Sequence, residues 1–289
     1  MRAFAALHPL TLVVYFMAVL LPMALCMHPV LLALSLLGAV ALYRTRRRFS
    51  LRSCLTAIGL FLFFTALNPL FSHRGATVLL VVNDQPVTLE ATAWGAAAAG
   101  MLLSALYWMR TFSMVMTADQ WMALLGGAFP RLSLLLSLSL RLVSLLRQRL
   151  GQIRAAQRCV GLYKEESALG RIRGECRVFS VLTVWALENG VVTADSMSAR
   201  GYDIGRRTAY TDTRLTRGDA VYLALTLAFA LPVAAALAAG GLRFAYYPHL
   251  AADIAGQAVA LSAYACLALL PSVWEGVEKL RWRCLRSSI

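Results

Sequence analysis

The chain has 289 residues, 60% of them hydrophobic and 15% charged, with a mean hydropathy of +0.66. A soluble domain averages about 45–50% apolar and about 25% charged residues, so this composition excludes an ordinary water-soluble fold, a disordered chain, a collagen-like fibre and a disulfide miniprotein. What is left is an integral membrane protein with several spans; its net charge of +14 would suggest nucleic acid in a soluble protein, but in a membrane protein the position of the charges matters more than their sum.

A span needs about 20 mostly apolar residues. From Pro9 to Tyr43 there are 35 residues without Asp, Glu, Lys or Arg, too many for one crossing and enough for two short ones. The break is expected at Met27-His28-Pro29, because proline cannot continue the first helix and suits the start of the second. Cys54 to Ser72 is the third uncharged run and Ala91 to Met109 the fourth. Ala220 to Leu242 is the fifth, and the sixth runs from about Ile254 to Trp274. Met1-Arg2 leads into an apolar run far longer than the core of a cleaved signal, so no such leader is expected.

Cytoplasmic loops retain Lys and Arg. With the N-terminus inside, 26 of the 28 basic residues fall on the inner side; Arg74 and Arg243 alone fall outside. Both ends are therefore expected in the cytoplasm, in a cell (inner or plasma) membrane. The loop 73–90, from His73-Arg74-Gly75 through Asn83-Asp84-Gln85-Pro86, then faces outward. So does Phe244-Ala245-Tyr246-Tyr247-Pro248, whose tyrosines suit a headgroup belt. The arginines of 44–52 read as a topology signal in contact with lipid.

The expected fold is all-α: a polytopic membrane protein of about six transmembrane helices with a cytoplasmic helical insert. Residues 1–109 hold the first four spans, 110–217 the insert, and 218–289 the last two spans and a basic tail. The insert carries sixteen basic and eight acidic side chains. Pro130 suits a helix start, and the polar positions Ser133, Ser137, Arg141, Ser144 and Arg147 recur every three to four residues on a leucine-rich helix. That helix either packs inside the protein or lies at the membrane surface. Gly161 is a natural stop. Ser167 suits the cap of a second, short helix to Arg177. A third apolar stretch, Val178 to Val192, is expected to break at Asn189-Gly190, and 203–217 reads as a loop.

Chemistry is sparse. There is no GxxxxGK[ST], HExxH, GxSxG or helix-opening GxGxxG. The six cysteines (Cys26, Cys54, Cys159, Cys176, Cys266, Cys284) form no CxxC pair and, several being in apolar runs, read as small buried hydrophobes. His8, His28, His73 and His249 are isolated. No catalytic residue, metal site or cofactor is expected. Glu90, Asp219 and Asp253 fall at span ends, and without a mid-membrane acid or base ion-coupled transport is disfavoured.

Ser196-Met197-Ser198-Ala199-Arg200-Gly201-Tyr202 resembles the "AMEARGY" signature of the transmembrane T component of energy-coupling factor (ECF) transporters, which include the cobalt-type permeases. It departs from that signature at Ser196 and Ser198. About forty residues earlier the family has an "AQxARG" motif; its counterpart here is Ala156-Gln157-Arg158-Cys159-Val160-Gly161, with Cys159-Val160 in place of the Ala-Arg pair. Asn68-Pro69, Arg110 and Arg141 are weaker likenesses. The resemblance implies a non-catalytic scaffold between a small membrane substrate-binding (S) subunit and two cytosolic ABC-type ATPases, which bind the ATP, for uptake of a vitamin or metal cation. It implies that the two motifs end coupling helices docked on the ATPases, with Arg158 or Arg154 standing in for the arginine that Val160 replaces, or apolar contact through Val160 and Leu162. The small residues of 95–100 and 234–241 suit close helix packing, either internal or against the S subunit. A membrane enzyme acting on lipid or isoprenoid substrates would need clustered acids or metal ligands on the inner side, and a self-contained permease would need no ATPase.

Overall fold

Proline sets the first helix boundaries. In the computed structural model, which describes residues 4–46, 51–72, 75–82, 85–161, 168–202, 204, 215–242, 244–247 and 254–287, a 3₁₀ turn (Phe4–Ala6) precedes α1 (Pro9–Leu25). Pro9 opens α1, where a missing N–H costs nothing, and the preceding His8 Nδ1 accepts a hydrogen bond from the Leu10 N–H at 3.2 Å. The chain leaves the helix at Cys26, and α2 (Pro29–Arg46) begins on the next proline. α3 (Leu51–Phe71) and α4 (Leu89–Val115) come next. Between them the expected outward loop is largely an antiparallel ribbon of β1 (Val78–Val82) and β2 (Gln85–Thr88); His73, Arg74, Asn83 and Asp84 lie outside the described residues. Thr88 caps α4 by accepting the Ala91 N–H at 3.3 Å.

After α5 (Ala118–Ala128), α6 (Pro130–Cys159) and α7 (Ala168–Ala199) come α8 (Arg217–Ala238) and α9 (Ile254–Ser287). α8 starts with a capping box in which the Thr216 hydroxyl and the Asp219 carboxylate each satisfy the other's backbone N–H. Among the described residues five helices are long and apolar enough to cross a membrane: α2, α3, α4, α8 and the Gln257–Glu278 stretch of α9. The first expected span, α1, is apolar but only 17 residues long. The protein is a helical, multi-pass membrane protein.

The chain divides into two compact units, 1–118 with 214–289, and 119–213. In the first, α3 packs on α4, α2 on α4 and α9, and α8 on α9 and α1. Its core gathers Phe4, Tyr15, Phe16, Trp108 and Tyr222, edge to face or tilted at centroid distances of 5.5–6.2 Å. Several buried polar groups at the helix interfaces reach across to a neighbour, which matters most in a medium without water. The Tyr15 hydroxyl donates to the Leu267 carbonyl, the Tyr264 hydroxyl to the Val19 carbonyl, and Trp108 Nε1 to Ser35 Oγ at 3.0 Å. Gly38 lets α2 approach α9: a Cβ there would stand 2.7 Å from Ala268 Cβ and 2.8 Å from its carbonyl oxygen. Gly95 does the same for α3, beside Thr65 and Asn68, and Asn68 Nδ2 ties the pair by donating to the Ala91 carbonyl at 2.7 Å. The 95–100 run therefore packs internally at its start, while Gly100 has open space around it.

Two features of this unit were not visible as pairs in the sequence. Arg46, in the last turn of α2, forms an ion pair with Glu275 of α9, the two side chains 10% and 6% exposed. At the other end of the helices, buried His28 lies edge-on to Phe244 at 5.6 Å, and the Tyr246 hydroxyl donates to the Met27 carbonyl at 2.6 Å. Burial holds the His28 imidazole below its ordinary value and pushes the Tyr246 phenol up to about 12. Pro248 and Asp253 lie outside the described residues.

Two expectations are corrected. The cysteines are not buried: Cys26 is half-buried and the other five are exposed. An apolar run says that a helix avoids water, not which of its faces is covered by protein. Nor does the chain break at Asn189-Gly190; α7 continues through it to Ala199 as one helix of 32 residues. A glycine inside a helix costs about 1 kcal/mol, which packing along the rest of the helix outweighs.

Candidate functional site

The second unit is built on α6 and α7, which pack against each other. Along α7 the less exposed positions include Gly174, Val178, Leu182, Trp185, Asn189, Thr193 and Met197, three or four residues apart as one helix face requires. The pairing is antiparallel. Arg154 of α6 donates to Glu175 of α7 at 2.7 Å, and Arg149 lies over the Trp185 ring at 5.0 Å. Of the expected polar stripe, Ser133 turns inward to the Met122 carbonyl of α5 at 3.1 Å, while Ser137, Arg141, Ser144 and Arg147 are exposed.

The signature heptad sits at the C-terminus of α7. Gly201 has φ +76°, in the left-handed region that glycine enters at no steric cost. Around it the Gly201 N–H donates to the Ser198 carbonyl at 3.0 Å and the Tyr202 N–H to the Met197 carbonyl at 3.0 Å. This is the two-bond Schellman stop, and it satisfies carbonyls that a helix end otherwise leaves open. Ser196, Ser198, Ala199 and Arg200 are exposed on this tip, Met197 and Gly201 are half-buried, and Tyr202 is 38% exposed. None of the described ion pairs involves Arg200.

The second motif also ends its helix, α6, at a left-handed glycine. Gly161 has φ +71°, and its N–H donates to the Arg158 carbonyl at 3.0 Å. Gln157 is buried, whereas Ala156, Arg158, Cys159 and Val160 are exposed, Val160 at 71%. Of the two residues expected to stand in for the motif arginine, Arg154 pairs with Glu175 and Arg158 is exposed. Leu162, Glu165, Glu166, Ser167 and most of 203–217 lie outside the described residues.

The fold does not bring the two motifs together. Arg154 and Glu175 place the end of α6 beside the start of α7, and from Glu175 to Arg200 there are 25 residues, about 38 Å of helix. The unit is thus a rod with a glycine-terminated, arginine-bearing tip at each end. Near the Arg200 tip a cleft of about 360 Å³ runs between α6 and α7, lined by Arg141, Leu142, Asn189, Thr193, Met197 and Tyr202 among others. Arg141 thus shares a wall with three residues of the signature, which neither stretch reveals alone. The Arg154–Glu175 pair had a signal: the two lie at equal distances from the middle of 162–167, where an antiparallel pair sets opposite charges face to face.

No family model matches the chain, and no curated protein matches it. Among the described residues there is no group of three or more His, Cys, Asp or Glu able to hold a metal ion. What the arrangement offers chemically is recognition. A guanidinium on a fixed helix end presents a planar fork of donors to a carboxylate or a backbone carbonyl.

Proposed function

We propose that this protein is the membrane scaffold subunit of an ECF-type importer, its T component, which passes the ATP-driven movement of two cytosolic ABC-type ATPases to a separate S subunit that binds a vitamin or metal cation. In this reading α1 joins the five longer helices as a sixth span, both chain ends face the cytoplasm, and the α6–α7 unit lies on that side. The protein itself catalyses nothing; its partners bind ATP and substrate.

The observation that carries the reading is the pair of matched tips. Two helices that end at Gly161 and Gly201, both in the left-handed conformation, present Arg158 and Arg200 roughly 40 Å apart, a separation that suits one docking point on each of two ATPase subunits. The rigid antiparallel pair between them supports the idea of a transmitted push, since packed helices move as bodies rather than deform. The exposed apolar residues of α7, among them Leu169, Ile172, Phe179, Leu187 and Val191, suit contact with lipid or with the S subunit rather than water.

The test is purification of the tagged chain from cells that co-express candidate ATPases, for wild type and Arg200→Glu. Two ATPase copies and a small hydrophobic subunit should accompany the wild type, and the ATPases should be lost in the variant while its elution from size exclusion stays unchanged. A wild type that recruits no ATPase under these conditions would refute the proposal.

A further inference from the structure

A groove on the membrane unit has the dimensions and the charge of a lipid site. α2 and α3 each pack on α4 with few contacts to each other, which leaves a channel of about 690 Å³ between them. Its walls are Leu36 and Val40 of α2 and Cys54, Ile58 and Leu62 of α3, and Leu103 and Tyr107 of α4 also line it. Among the described residues of this lining the charged one is Arg44, at one end. From Leu36 to Arg44 is eight residues along α2, about 12 Å, close to the depth of one leaflet, since the hydrocarbon core is about 30 Å thick. The groove therefore runs from the arginine end of the helices toward the bilayer middle, along the path of one acyl chain.

The charged residues described beside the groove are arginines. Arg52 is exposed in the first turn of α3 beside Leu51, which also lines the groove. Arg110 borders a smaller hollow on α3 and α4 with Ser53 and Thr56, and its guanidinium lies over the Tyr43 ring at 5.9 Å. The one carboxylate in α2, α3 or α4 is Glu90, in the first turn of α4, twenty residues or about 30 Å from Arg110. Glu275 is already bound to Arg46. An apolar channel one leaflet deep, opening beside Arg44, Arg52 and Arg110, is complementary to a phosphate carried on a hydrocarbon chain.

We propose that this groove binds an anionic phospholipid of the leaflet on the arginine side, one acyl chain lying between α2 and α3 and the phosphate held at Arg44. The proposal rests on the protein being membrane-embedded and is independent of any coupling role. A neutral lipid can fill the channel but leaves the arginines without a partner of net negative charge; a free phosphate can meet the arginines but not the channel.

The test uses the full chain in detergent, with dioleoylphosphatidylglycerol, dioleoylphosphatidylcholine or glycerol phosphate added. Native mass spectrometry reads retained lipid, and peptide mass mapping reads maleimide labelling of Cys54 in the groove, with exposed Cys176 of α7 as internal reference. Phosphatidylglycerol should be retained over phosphatidylcholine and should slow labelling of Cys54 but not of Cys176, while glycerol phosphate leaves both unchanged. Arg44→Gln should lower phosphatidylglycerol retention about fivefold, the weight of one arginine at an anionic lipid surface, whereas Arg171→Gln on α7 should not. Ala57→Trp, which fills the groove, should abolish retention; the labelling of the unaltered chain tests the same point should that variant fail to fold. Equal retention of the two lipids, no effect of Arg44→Gln, or Cys54 shielded by a co-purifying protein with no lipid bound would overturn the proposal.

Discussion

Gly38 offers the sharpest test of how the membrane unit is packed. In Gly38→Ala the new Cβ falls 2.7 Å from Ala268 Cβ, 2.8 Å from the Ala268 carbonyl oxygen and 3.1 Å from its carbonyl carbon. Carbon atoms prefer about 3.5–4.0 Å, so α2 and α9 must part by nearly an ångström along a tightly packed seam. Such overpacking typically costs about 1–3 kcal/mol. Alanine also returns up to about 1 kcal/mol of helix propensity, which would blur the reading if Gly38→Ala were measured alone. Gly59, in the middle of α3, removes the ambiguity, because a Cβ there meets nothing within 4 Å. Gly59→Ala gains the propensity without the clash, so the difference between the two variants is the clash itself, about 1–3 kcal/mol. Thermal unfolding of both proteins in the same detergent measures it. A second substitution sharpens the logic: Ala268→Gly deletes the atom at 2.7 Å but leaves the backbone at 2.8 and 3.1 Å, so it should rescue Gly38→Ala only in part. Equal stability of Gly38→Ala and Gly59→Ala would refute the close α2–α9 contact.

Three further outcomes are expected from the geometry. Glu275→Ala takes the carboxylate away from buried Arg46 and should cost about 3–5 kcal/mol, whereas Arg46→Met with Glu275→Leu should cost far less; unfolding in detergent distinguishes the two. Because burial lowers the His28 pKa, the unfolded chain binds a proton that the folded one refuses, so stability should fall as pH drops below about 6.5; His28→Gln should flatten that dependence in melting curves between pH 7.5 and 5.5. For the coupling role, Arg158→Ala should weaken ATPase co-purification as Arg200→Ala does, and Arg154→Ala should chiefly lower the melting temperature; normal assembly of Arg158→Ala beside failed assembly of Arg200→Ala would remove Arg158 from the interface.

What the sequence discloses here is mostly local. Pro9, Pro29 and Pro130 open helices where a residue lacking an N–H belongs, and Gly161 and Gly201 close them in a backbone region that few other residues enter. Apolar runs locate the long membrane helices for the same reason, since each depends only on the residues within it. The misreadings arise where the deciding partner is distant. Asn189-Gly190 looks like a break until α6 lies along it and the two residues become part of a cleft wall. Arg46 and Glu275 are 229 positions apart, and nothing in either neighbourhood reports their meeting. Cys54 and Cys266 sit in apolar runs, yet such runs are uniform around the helix and carry no mark of the face that protein covers. The two motifs were legible as strings, but the fact that they cap opposite ends of one rod was not.

That rod has a consequence for how the distance between its tips can vary. Each residue added to a helix lengthens it by about 1.5 Å and rotates the remainder of the helix by about 100°, so a single insertion in α7 between Trp185 and Arg200 would swing the arginine a quarter-turn or more away from its present side. Seven residues bring it back to within about 20°, at the cost of a further 10 Å of reach. Arg154–Glu175 and Arg149 on Trp185 hold α6 and α7 side by side on the near side of such an insertion, so that register is kept while the Arg200 tip moves out. Spacing and bearing are therefore geared together: Arg158 and Arg200 can be set farther apart or closer with little change of aim only in steps of about 10 Å, and smaller adjustments point one of them in a new direction.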